Sequence, residues 1–360
     1  MLIVRSPVRI SFAGGGTDLP AYYEQFGGAV LSTAVNKYFY TILGKRNDGR
    51  IQVISSDLRM FETWRDIATM SIKGSELEIP LAVLKDLGRD VSVDMFLASE
   101  IPPGTGLGSS ASVCVNIVKA LASYTHRPLS KHELAEQAFH IARNVLDRHV
   151  GKQDEYAAAF GGLNFIIFHA DGNVQVEPLE LDGEIQRDLQ SNLLLYFTGS
   201  AHHSWTILEE QEKSTRGHTG PAVEALHEVR SLAYNMREAL QKGELGTFGS
   251  MLDQAWQAKK RVSSRISTST IDQLYQVARA HGALGGKITG AGGGGFLLLY
   301  CESEQQEALR KAMAAEGIQE MAFSFDFQGA QVIVNDPFID SDERGGTQWT
   351  FLRASAVGET

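Results

Sequence analysis

A glycine-rich segment at 102–111, Pro-Pro-Gly-Thr-Gly-Leu-Gly-Ser-Ser-Ala, carries the residue types that bind phosphate groups. Three glycines at alternate positions let the backbone adopt positive φ angles and approach a ligand closely. Ser109 and Ser110 stand where helix caps lie, and the residues from Ala111 to Tyr124 have the apolar spacing of a helix. Unpaired N–H groups and the positive dipole end at a helix start attract anions. The sequence therefore predicts a turn that binds a nucleotide triphosphate.

A second interpretation of this segment stays open from its own residues. A turn rich in glycine and serine before a helix is often only a turn and a cap, without a ligand. The two common nucleotide motifs are excluded. No lysine follows the glycines as in Gly-x-x-x-x-Gly-Lys-Ser/Thr, and the third glycine of Gly-x-Gly-x-x-Gly is missing. The segment by itself is therefore either a phosphate site of another type or a plain turn.

Pro102–Ala111 resembles, nearly residue for residue, the phosphate loop of the GHMP kinases, Pro-x-Gly-x-Gly-Leu-Gly-Ser-Ser-Ala. That family includes galactokinase, homoserine kinase, mevalonate kinase and phosphomevalonate kinase. Stretches similar to other family motifs follow in family order at 5–18, 151–156 and 287–296, so the resemblance covers about residues 2–334. It implies an α+β, two-domain GHMP kinase fold, with a ribosomal protein S5 domain 2-like N-terminal domain and a ferredoxin-like C-terminal domain.

By the same resemblance, Asp154 matches the catalytic aspartate, and Arg9 matches a basic residue that the family points into its active site. An acceptor hydroxyl must lose a proton as it attacks the γ-phosphorus, and a carboxylate can orient that hydroxyl and accept the proton. Phosphoryl transfer has a loose transition state, so positioning and charge neutralisation matter more than the base. A nearby guanidinium would favour the charged form of the carboxylate. The residues alone also fit a basic residue on a strand face and an Asp154 that caps a helix starting at Glu155.

The resemblance also implies which residues hold the two substrates. In galactokinase-like members a Thr-Asp pair after the first glycine turn binds sugar hydroxyls, and Thr17-Asp18 matches that pair. Five glycines within 290–295 predict a second loop that approaches the phosphates closely. Two roles stay open for Lys152, which could contact a phosphate or be a solvated surface residue. The residues predicted to bind ATP are Pro103, Gly104, Thr105, Gly106, Leu107, Gly108, Ser109, Ser110, Ala111, Gly292 and Gly293; those predicted to bind the sugar are Gly15, Gly16, Thr17, Asp18, Lys152 and Gln153.

ATP and Mg²⁺ are the expected cofactors, with Ser110 as the hydroxyl ligand that the family gives to the metal. The magnesium-binding glutamate of the family usually precedes the catalytic aspartate by 11 or 12 residues, and this chain has Arg143 and Ala142 there. Glu136 and Asp147 are the nearest acids along the same helix, but neither lies at the missing position. The sequence therefore predicts a metal site that lacks one of the family's ligands.

The composition excludes several classes of function. The net charge of −10 over 360 residues disfavours a nucleic-acid or anionic-membrane partner, so local cations and backbone amides must meet a phosphate ligand. Cys114 and Cys301 give no disulfide framework, and the pair His202 and His203 has no third ligand at metal spacing, which favours a substrate contact or a surface position. No signal peptide or transmembrane run is evident. We expect a cytoplasmic protein, monomeric or homodimeric, whose partners are ATP and a small sugar phosphate.

The elements that position these motifs follow from apolar periodicity, which alternates in strands and recurs every three to four residues in helices. The expected division is an N-terminal domain at 1–190, a C-terminal domain at 191–334 and a tail at 335–360. The predicted strands are 2–13, 29–45, 51–55, 91–97, 163–168, 174–179, 193–197, two strands flanking the glycine turn within 285–299, 321–327 and 330–334. The predicted helices are 80–87, 111–124, one capped by Ser130, 204–215, one starting at Pro221, 245–261, 270–281 and 303–315.

Within the family, the stretches 5–20, 151–165 and 287–296 look most like the bacterial heptose-phosphate kinases. That similarity implies ATP-dependent phosphorylation of the anomeric hydroxyl of D-glycero-D-manno-heptose 7-phosphate, on the route to nucleotide-activated heptose for surface polysaccharide or lipopolysaccharide. Two alternatives stay open: another sugar 1-kinase of fucokinase or galactokinase type, and a nucleotide- and sugar-binding sensor without turnover. Arg9 and Asp154 argue against the sensor, and the missing glutamate argues for it.

Overall fold

The computed structural model describes residues 1–88, 91–199, 204–217 and 219–336, without the side chains of 204–206. Most of the described chain forms two sheets, one mainly and one fully antiparallel, with helices packed on their faces. The strands are β1 (Leu2–Ala13), β2 (Gly28–Lys45), β3 (Ile51–Ser55), β4 (Met60–Trp64), β5 (Val93–Ser99), β6 (Leu163–Phe168), β7 (Val174–Pro178), β8 (Leu193–Phe197), β9 (Ala283–Ile288), β10 (Phe296–Cys301), β11 (Gln319–Glu320) and β12 (Gln331–Asn335). The helices are α1 (Pro20–Phe26), α2 (Glu78–Leu87), α3 (Ser109–Tyr124), α4 (Lys131–His140), α5 (Gln153–Phe160), α6 (Gly183–Asn192), α7 (Ser204–Thr215), α8 (Pro221–Gln241), α9 (Leu245–Lys260), α10 (Ser269–Ala280) and α11 (Gln306–Ala315).

The first sheet has eight strands and is built around the long strand β2. Its main order is β12-β1-β2-β5-β3-β4, and β6 and β7 extend it from the first half of β2. Residues 28–33 pair with β6 and residues 39–45 pair with β5, so one strand of 18 residues serves two neighbours along its length. β3 joins β5 in parallel, whereas the other named pairs of this sheet are antiparallel. Valine, tyrosine, phenylalanine and isoleucine dominate β2, as expected of a buried central strand.

The second sheet has the antiparallel order β11-β8-β10-β9. Counted along the chain from β8, that order is 4-1-3-2, the ferredoxin-like arrangement that the resemblance implied. Helix α9 packs against β9, and α8 packs against both α9 and β2 of the first sheet. The predicted α+β class is therefore confirmed.

A buried apolar cluster joins the two sheets. It combines Phe12 and Phe165 of the first sheet with Phe248 of α9 and Leu298 of β10, all fully buried. The rings of Phe12 and Phe248 meet edge to face with their centroids 5.3 Å apart. Because aromatic side chains bury large areas, this contact fixes the two halves against each other and holds the cleft between them.

Several stretches differ from the sequence predictions. Helices α1 and α6 were not predicted, because each is short and its apolar residues do not form a long periodic stripe. The predicted strand at 321–327 is wrong: β11 ends at Glu320, and Phe325 makes only an isolated bridge to Val35 of β2. β12 falls within the range assigned to the second domain but pairs with β1 in the first sheet. The division at residues 190 and 334 stays a prediction.

Candidate active site

A cavity of about 660 Å³ opens between the phosphate-loop end of the first sheet and the glycine-rich turn of the second. Its volume lies in the range of small-molecule sites. The predicted residues that line it are Arg9, Gly15, Gly16, Asp18, Pro103, Gly104, Gly106, Gly108, Ser109, Ser110, Ala111, Gln153 and Asp154. Segments that are far apart in the chain therefore meet at one site, as a shared catalytic centre requires.

The phosphate loop ends where α3 begins. Gly104, Gly106 and Gly108 have φ angles of +75°, +80° and +76°, the left-handed region in which glycine has no steric penalty. Helix α3 starts at Ser109 with Gly108 as its N-cap, so the expectation that Ser109 and Ser110 cap this helix is wrong. The Ser109 hydroxyl oxygen is buried and has no hydrogen-bond partner among the described residues. A helix start with an unsatisfied hydroxyl facing a cavity suits an anionic phosphate group.

Arg9 and Asp154 form a two-pronged ion pair at the cavity. Arg9 Nε donates to Asp154 Oδ1 at 2.7 Å, and Arg9 Nη2 donates to Asp154 Oδ2 at 2.7 Å. Arg9 Nη1 also donates to the Gly106 carbonyl at 2.7 Å, so one guanidinium connects the carboxylate to the phosphate loop. The Arg9 side chain is almost fully buried, whereas about a quarter of the Asp154 side chain is exposed. Such bidentate pairs fix the orientation of the carboxylate.

Asp154 does not cap its helix. Helix α5 begins at Gln153, two residues earlier than Glu155, and the residue before it makes no side-chain capping bond. Asp154 therefore lies in the first helical turn, where the positive end of the helix dipole favours an anion. The alternative in which Asp154 caps a helix starting at Glu155 is wrong.

Asp18 connects the first glycine turn to the turn that carries Asp154. Its Oδ1 accepts from the Gly16 amide at 2.7 Å and from Gln153 Nε2 at 3.1 Å, and its Oδ2 accepts from the Gln153 amide at 3.2 Å. Burial, and then the charge of Asp154, raise the pKa of the Asp18 carboxyl. At Gly151 a side chain would collide with the Asp18 carboxylate. Asp18 thus organises the catalytic turn, in addition to the sugar contact predicted for it.

Several predicted ligands point elsewhere. The Thr17 hydroxyl donates to the carbonyls of Gly14 and Ala29, and the Thr105 hydroxyl donates to the Pro102 carbonyl, so both are satisfied inside the protein. Leu107 packs in the core between the sheets. In the second glycine turn, Gly290 and Ala291 line the cavity, whereas Gly292 and Gly293 pack on Ile266. Backbone binding stays a prediction at these positions, for the sugar at Thr17 and for the nucleotide at the others.

Lys152 fits neither of the two roles considered for it. Its side chain is almost fully buried, and its ammonium donates to Glu136 Oε1 at 2.7 Å and to the Gly172 carbonyl at 3.0 Å. It lies against the rings of Tyr23 and Phe139, away from the cavity. The interpretation as a surface lysine is therefore wrong, and the substrate contact gains no support.

The two glycine-rich turns interlock backbone to backbone. A side chain at Gly106 would place its Cβ 2.5 Å from the Thr289 carbonyl oxygen, and one at Gly290 would lie 2.7 Å from the Gly106 carbonyl oxygen. A side chain at Gly295 would collide with the Thr105 carbonyl. The glycines therefore let the second turn close against the phosphate loop from the opposite half of the protein.

Two buried lysines supply the local positive charge that an acidic protein needs at a phosphate site. Lys259 of α9 lines the cavity, where its ammonium donates to the Gly15 carbonyl at 2.8 Å and to Gln211 Oε1 at 3.1 Å. Burial lowers its pKa to about 8. Lys287 of β9 is also buried; burial, followed by the charges of Lys259 and Arg9, lowers its pKa to about 7. Arg9, Lys259 and Lys287 thus lie near enough to affect one another's charge, and together they suit an anionic ligand.

Sequence reasoning missed both lysines. Lys287 is the first residue of the stretch 287–296, which was recognised for its glycines. Its place in that motif was the signal that could have identified it. Lys259 sits in a Lys-Lys-Arg run at a helix end, which reads as a solvated face, so nothing local distinguished it.

The positions of the missing family glutamate lie in a π-helical turn, Ile141–Val145, which follows α4. Ala142 lines the cavity. Arg143 points instead to α7, where Nη1 and Nη2 donate to the two oxygens of Glu212 at 2.9 and 2.8 Å. Burial opposes the charge of Glu212, but hydrogen bonds from Arg143, His149 and Arg216 lower its pKa to about 2. Arg143 thus ties the first half to α7.

Glu155 is a third site residue that the sequence reasoning missed. It is 2% exposed, it lines the cavity beside Asp154, and its Oε2 atom has no hydrogen-bond partner among the described residues. Burial, and then the charge of Asp154, raise its pKa well above the usual range. An acid directly before the small apolar sequence Tyr-Ala-Ala-Ala was the available signal.

No cluster of three or more histidine, cysteine, aspartate or glutamate side chains forms a metal site within the described ranges. Magnesium that enters with ATP needs fewer protein ligands, because it keeps several waters and bridges phosphate oxygens. Cys114 and Cys301 are both buried as free thiols. His202 and His203 lie outside the described residues. In the part of the chain that the structure covers, no helix is long and apolar enough to cross a bilayer.

Comparisons with known proteins agree with this geometry. Residues 78–162 match the model of the GHMP kinases N terminal domain, and residues 236–319 match that of the GHMP kinases C terminal domain. The D-glycero-alpha-D-manno-heptose 7-phosphate kinase of Campylobacter jejuni is 32% identical over 332 residues, which cover 91% of this chain and 97% of that protein.

Two further relatives bear on the substrate. The crystal structure of a D-glycero-D-manno-heptose 1-phosphate kinase from Bacteroides thetaiotaomicron matches with a TM-score of 0.78 and 29% identity, over 94% of this chain and all of that one. The L-fucokinase/L-fucose-1-P guanylyltransferase of Bacteroides fragilis is 26% identical over 346 residues, which cover 84% of this chain but 34% of that protein. The chain therefore belongs to the GHMP kinase family.

Proposed function

We propose that the chain is an ATP-dependent sugar 1-kinase that converts D-glycero-D-manno-heptose 7-phosphate to the 1,7-bisphosphate. The observation that carries the proposal is the Arg9–Asp154 pair, which faces the same cavity as the phosphate loop. The similarity to heptose phosphate kinases over nine tenths of the chain supports this sugar. The product would serve the synthesis of nucleotide-activated heptose for surface polysaccharide or lipopolysaccharide.

In this proposal Asp154 acts on the acceptor. Its carboxylate accepts a hydrogen bond from the anomeric hydroxyl and takes the proton as the sugar oxygen attacks the γ-phosphorus and ADP leaves. Arg9 holds both carboxylate oxygens, so the acceptor meets a carboxylate whose orientation is already fixed. Since the transition state is loose, this positioning contributes more to the rate than the strength of the base.

The nucleotide phosphates would lie along the loop and the start of α3. Ser109 lines the cavity and its hydroxyl has no partner among the described residues, so a phosphate oxygen would complete its hydrogen bonding. The buried ammonium groups of Lys259 and Lys287 and the guanidinium of Arg9 add positive charge where the γ-phosphate would come. In a water-poor cleft these charges act more strongly than in solvent.

The sugar would occupy the side of the cavity that Gly15, Gly16, Asp18 and Gln153 line. Asp18 has one oxygen with a single protein donor, so it retains acceptor capacity for a sugar hydroxyl. Lys259 lies beside the same glycine turn and adds a cation for an anionic acceptor.

Magnesium fits the residues present. Ser110 lies at the exposed start of α3 on the cavity, and Glu155 contributes a buried carboxylate oxygen without a partner. Bound with ATP, the ion would neutralise phosphate charge and hold the γ-phosphoryl group for in-line transfer. Ser110 is the ligand predicted from the sequence, and it stays a prediction.

Another sugar 1-kinase activity is the second candidate, because a fucokinase relative also covers most of this chain. The proposal is tested by steady-state kinetics with ATP and four acceptors: heptose 7-phosphate, the same heptose without phosphate, L-fucose and D-galactose. Phosphorus NMR of each product locates the new phosphate group. Asp154→Asn serves as the blank for contaminating kinases.

We expect the highest kcat/KM with heptose 7-phosphate and a new phosphorus signal coupled to the anomeric proton. A higher kcat/KM with fucose or galactose would mean that this sugar, and not heptose 7-phosphate, is the substrate. Tight ATP binding without turnover of any acceptor would favour a sensor over a kinase.

A further inference from the structure

We propose that Glu155 is the carboxylate ligand to the magnesium of MgATP, in place of the family glutamate that this chain lacks at position 142. The assignment rests on the proposed kinase function and names the residue that completes its metal site. The metal-binding carboxylate would then lie on α5, the helix that carries Asp154, and not on the helix before the catalytic turn.

The burial and bonding of Glu155 support this role. Only 2% of the residue is exposed, and its Oε2 atom accepts no hydrogen bond within the described part of the chain. A buried carboxylate without donors is costly unless it meets a cation or carries a proton. Because Glu155 also lines the nucleotide cavity, a cation that arrives with ATP would supply the missing partner.

The surroundings of Glu155 place it on the side of the cavity that Ser110 and Ala142 line. Ser110 and Cys114 lie one helical turn apart on α3, so they share a face, and both line the cavity with Ala142 and Glu155. Burial, and then the negative charge of Glu155, raise the pKa of the Cys114 thiol, as expected of near neighbours. Glu155 therefore faces the same space as Ser110 and as position 142, from a third element.

The other acids on this cavity are less suited to the metal. Glu78 and Glu209 form ion pairs with Arg148 and Lys213. Asp147 is exposed to solvent and needs no cation.

Acids nearer to the catalytic turn are already engaged. Asp154 is held by Arg9, and Asp18 accepts three protein hydrogen bonds. Glu136, the other acid considered from the sequence, accepts from Lys152 and from the Tyr156 hydroxyl at 2.6 Å, away from the cavity. Among the described residues, Glu155 is the buried cavity acid that has a carboxylate oxygen, Oε2, without a hydrogen-bond partner.

The test measures metal affinity directly rather than turnover. Mn²⁺ replaces Mg²⁺, and electron paramagnetic resonance gives the dissociation constant of Mn²⁺ from the complex with a non-hydrolysable ATP analogue. Glu155→Gln keeps the shape of the side chain and removes its charge, so we expect Mn²⁺ affinity to fall ~10-fold or more. Asp147→Asn is the matched control on the same cavity, and its affinity should match the wild type.

A rescue variant separates a ligand from a structural role. Adding Ala142→Glu to Glu155→Gln returns a carboxylate to the family position on the same cavity, and we expect it to restore most of the Mn²⁺ affinity. Ala142→Glu alone should change little, because the wild type already has its carboxylate. A marked gain in Mn²⁺ affinity from Ala142→Glu alone would mean that the position is vacant and would overturn the assignment, even if Glu155→Gln does not fold.

The assignment of Glu155 as the metal ligand would also be refuted by unchanged Mn²⁺ affinity in folded Glu155→Gln, or by a loss of Mn²⁺ affinity in Asp147→Asn instead. Analogue binding measured in EDTA keeps this test apart from the proposed function. If the wild type fails to bind the analogue at all, the kinase proposal fails. If it binds the analogue and Mn²⁺ while Glu155→Gln changes neither, the kinase proposal stands and only the role of Glu155 is lost.

Discussion

The interlocked glycine turns make a quantitative prediction for Gly106→Ala. Gly106 has a φ of +80°, where an alanine costs ~1–2 kcal/mol relative to its preferred conformations. The new Cβ would also lie 2.5 Å from the Thr289 carbonyl oxygen, against about 3.4 Å for an ordinary contact, so the two turns must separate by about 0.9 Å. Neither side can relieve this clash by rotating a side chain, because the atoms involved belong to the backbone.

We expect two consequences of that separation. Overpacking of this kind adds ~1–3 kcal/mol, so the free energy of unfolding should fall by ~2–5 kcal/mol in total. Displacing groups at a phosphoryl-transfer site by nearly 1 Å should also reduce kcat/KM by ~10²-fold, with weaker ATP binding. Urea unfolding and isothermal titration with ATP measure the two effects separately.

Gly49→Ala is the matched control. Gly49 has a φ of +71°, but no atom lies within 4 Å of the position of its Cβ, so it isolates the cost of backbone conformation from that of the clash. It should lose ~1–2 kcal/mol of stability and keep the wild-type affinity for ATP. Wild-type ATP affinity in a folded Gly106→Ala would contradict the reasoning, as would an equal loss of ATP affinity in both variants.

Three further variants probe contacts around the cavity. Asp18→Ala leaves three N–H donors unpaired, one of them buried and two partly buried. It should raise the KM for sugar ~10-fold or more and change the KM for ATP little; equal effects in steady-state kinetics would place Asp18 elsewhere. Lys259→Met removes the cation beside Gly15 and should likewise raise the KM for sugar ~10-fold, which an unchanged KM would disprove. Glu212 has a pKa of about 2, below its usual 4.5, so its pairing stabilises the native state above pH 4.5 and that stability is lost as the pH falls toward 2. Glu212→Gln should therefore lower the Tm by ~2–4 °C at pH 7, and the difference should shrink in scans taken toward pH 3.

The sequence predicted the parts of the site that depend on local backbone geometry. The alternate glycines of the phosphate loop all have positive φ, because this feature follows from residue type and neighbouring spacing. The helix after the loop was also predicted, but it begins at Ser109, two residues earlier than expected. The position of Asp154 followed from a motif of the family. Long strands such as β2 were predicted within one residue for the same reason: their composition is sufficient to define them.

Contacts between distant segments could not be predicted. Lys259 reaches the Gly15 carbonyl across 244 residues, and Arg143 reaches Glu212 across 69, so nothing in either local sequence indicates the partner. Lys152 reads as a surface lysine beside an active-site turn, but its burial depends on Glu136 and on two aromatic rings from other elements. Charged residues were therefore placed less well than glycines, because their roles depend on tertiary packing.

The central claim is that Asp154, oriented by Arg9, acts on the acceptor hydroxyl. Its most direct test is kcat for Asp154→Asn with ATP and heptose 7-phosphate, measured beside ATP affinity by isothermal titration. Asparagine keeps the size of the side chain but cannot accept the proton, so kcat should fall by ~10²–10⁴-fold while ATP affinity stays close to that of the wild type. A folded Asp154→Asn protein with near-wild-type kcat would contradict the claim.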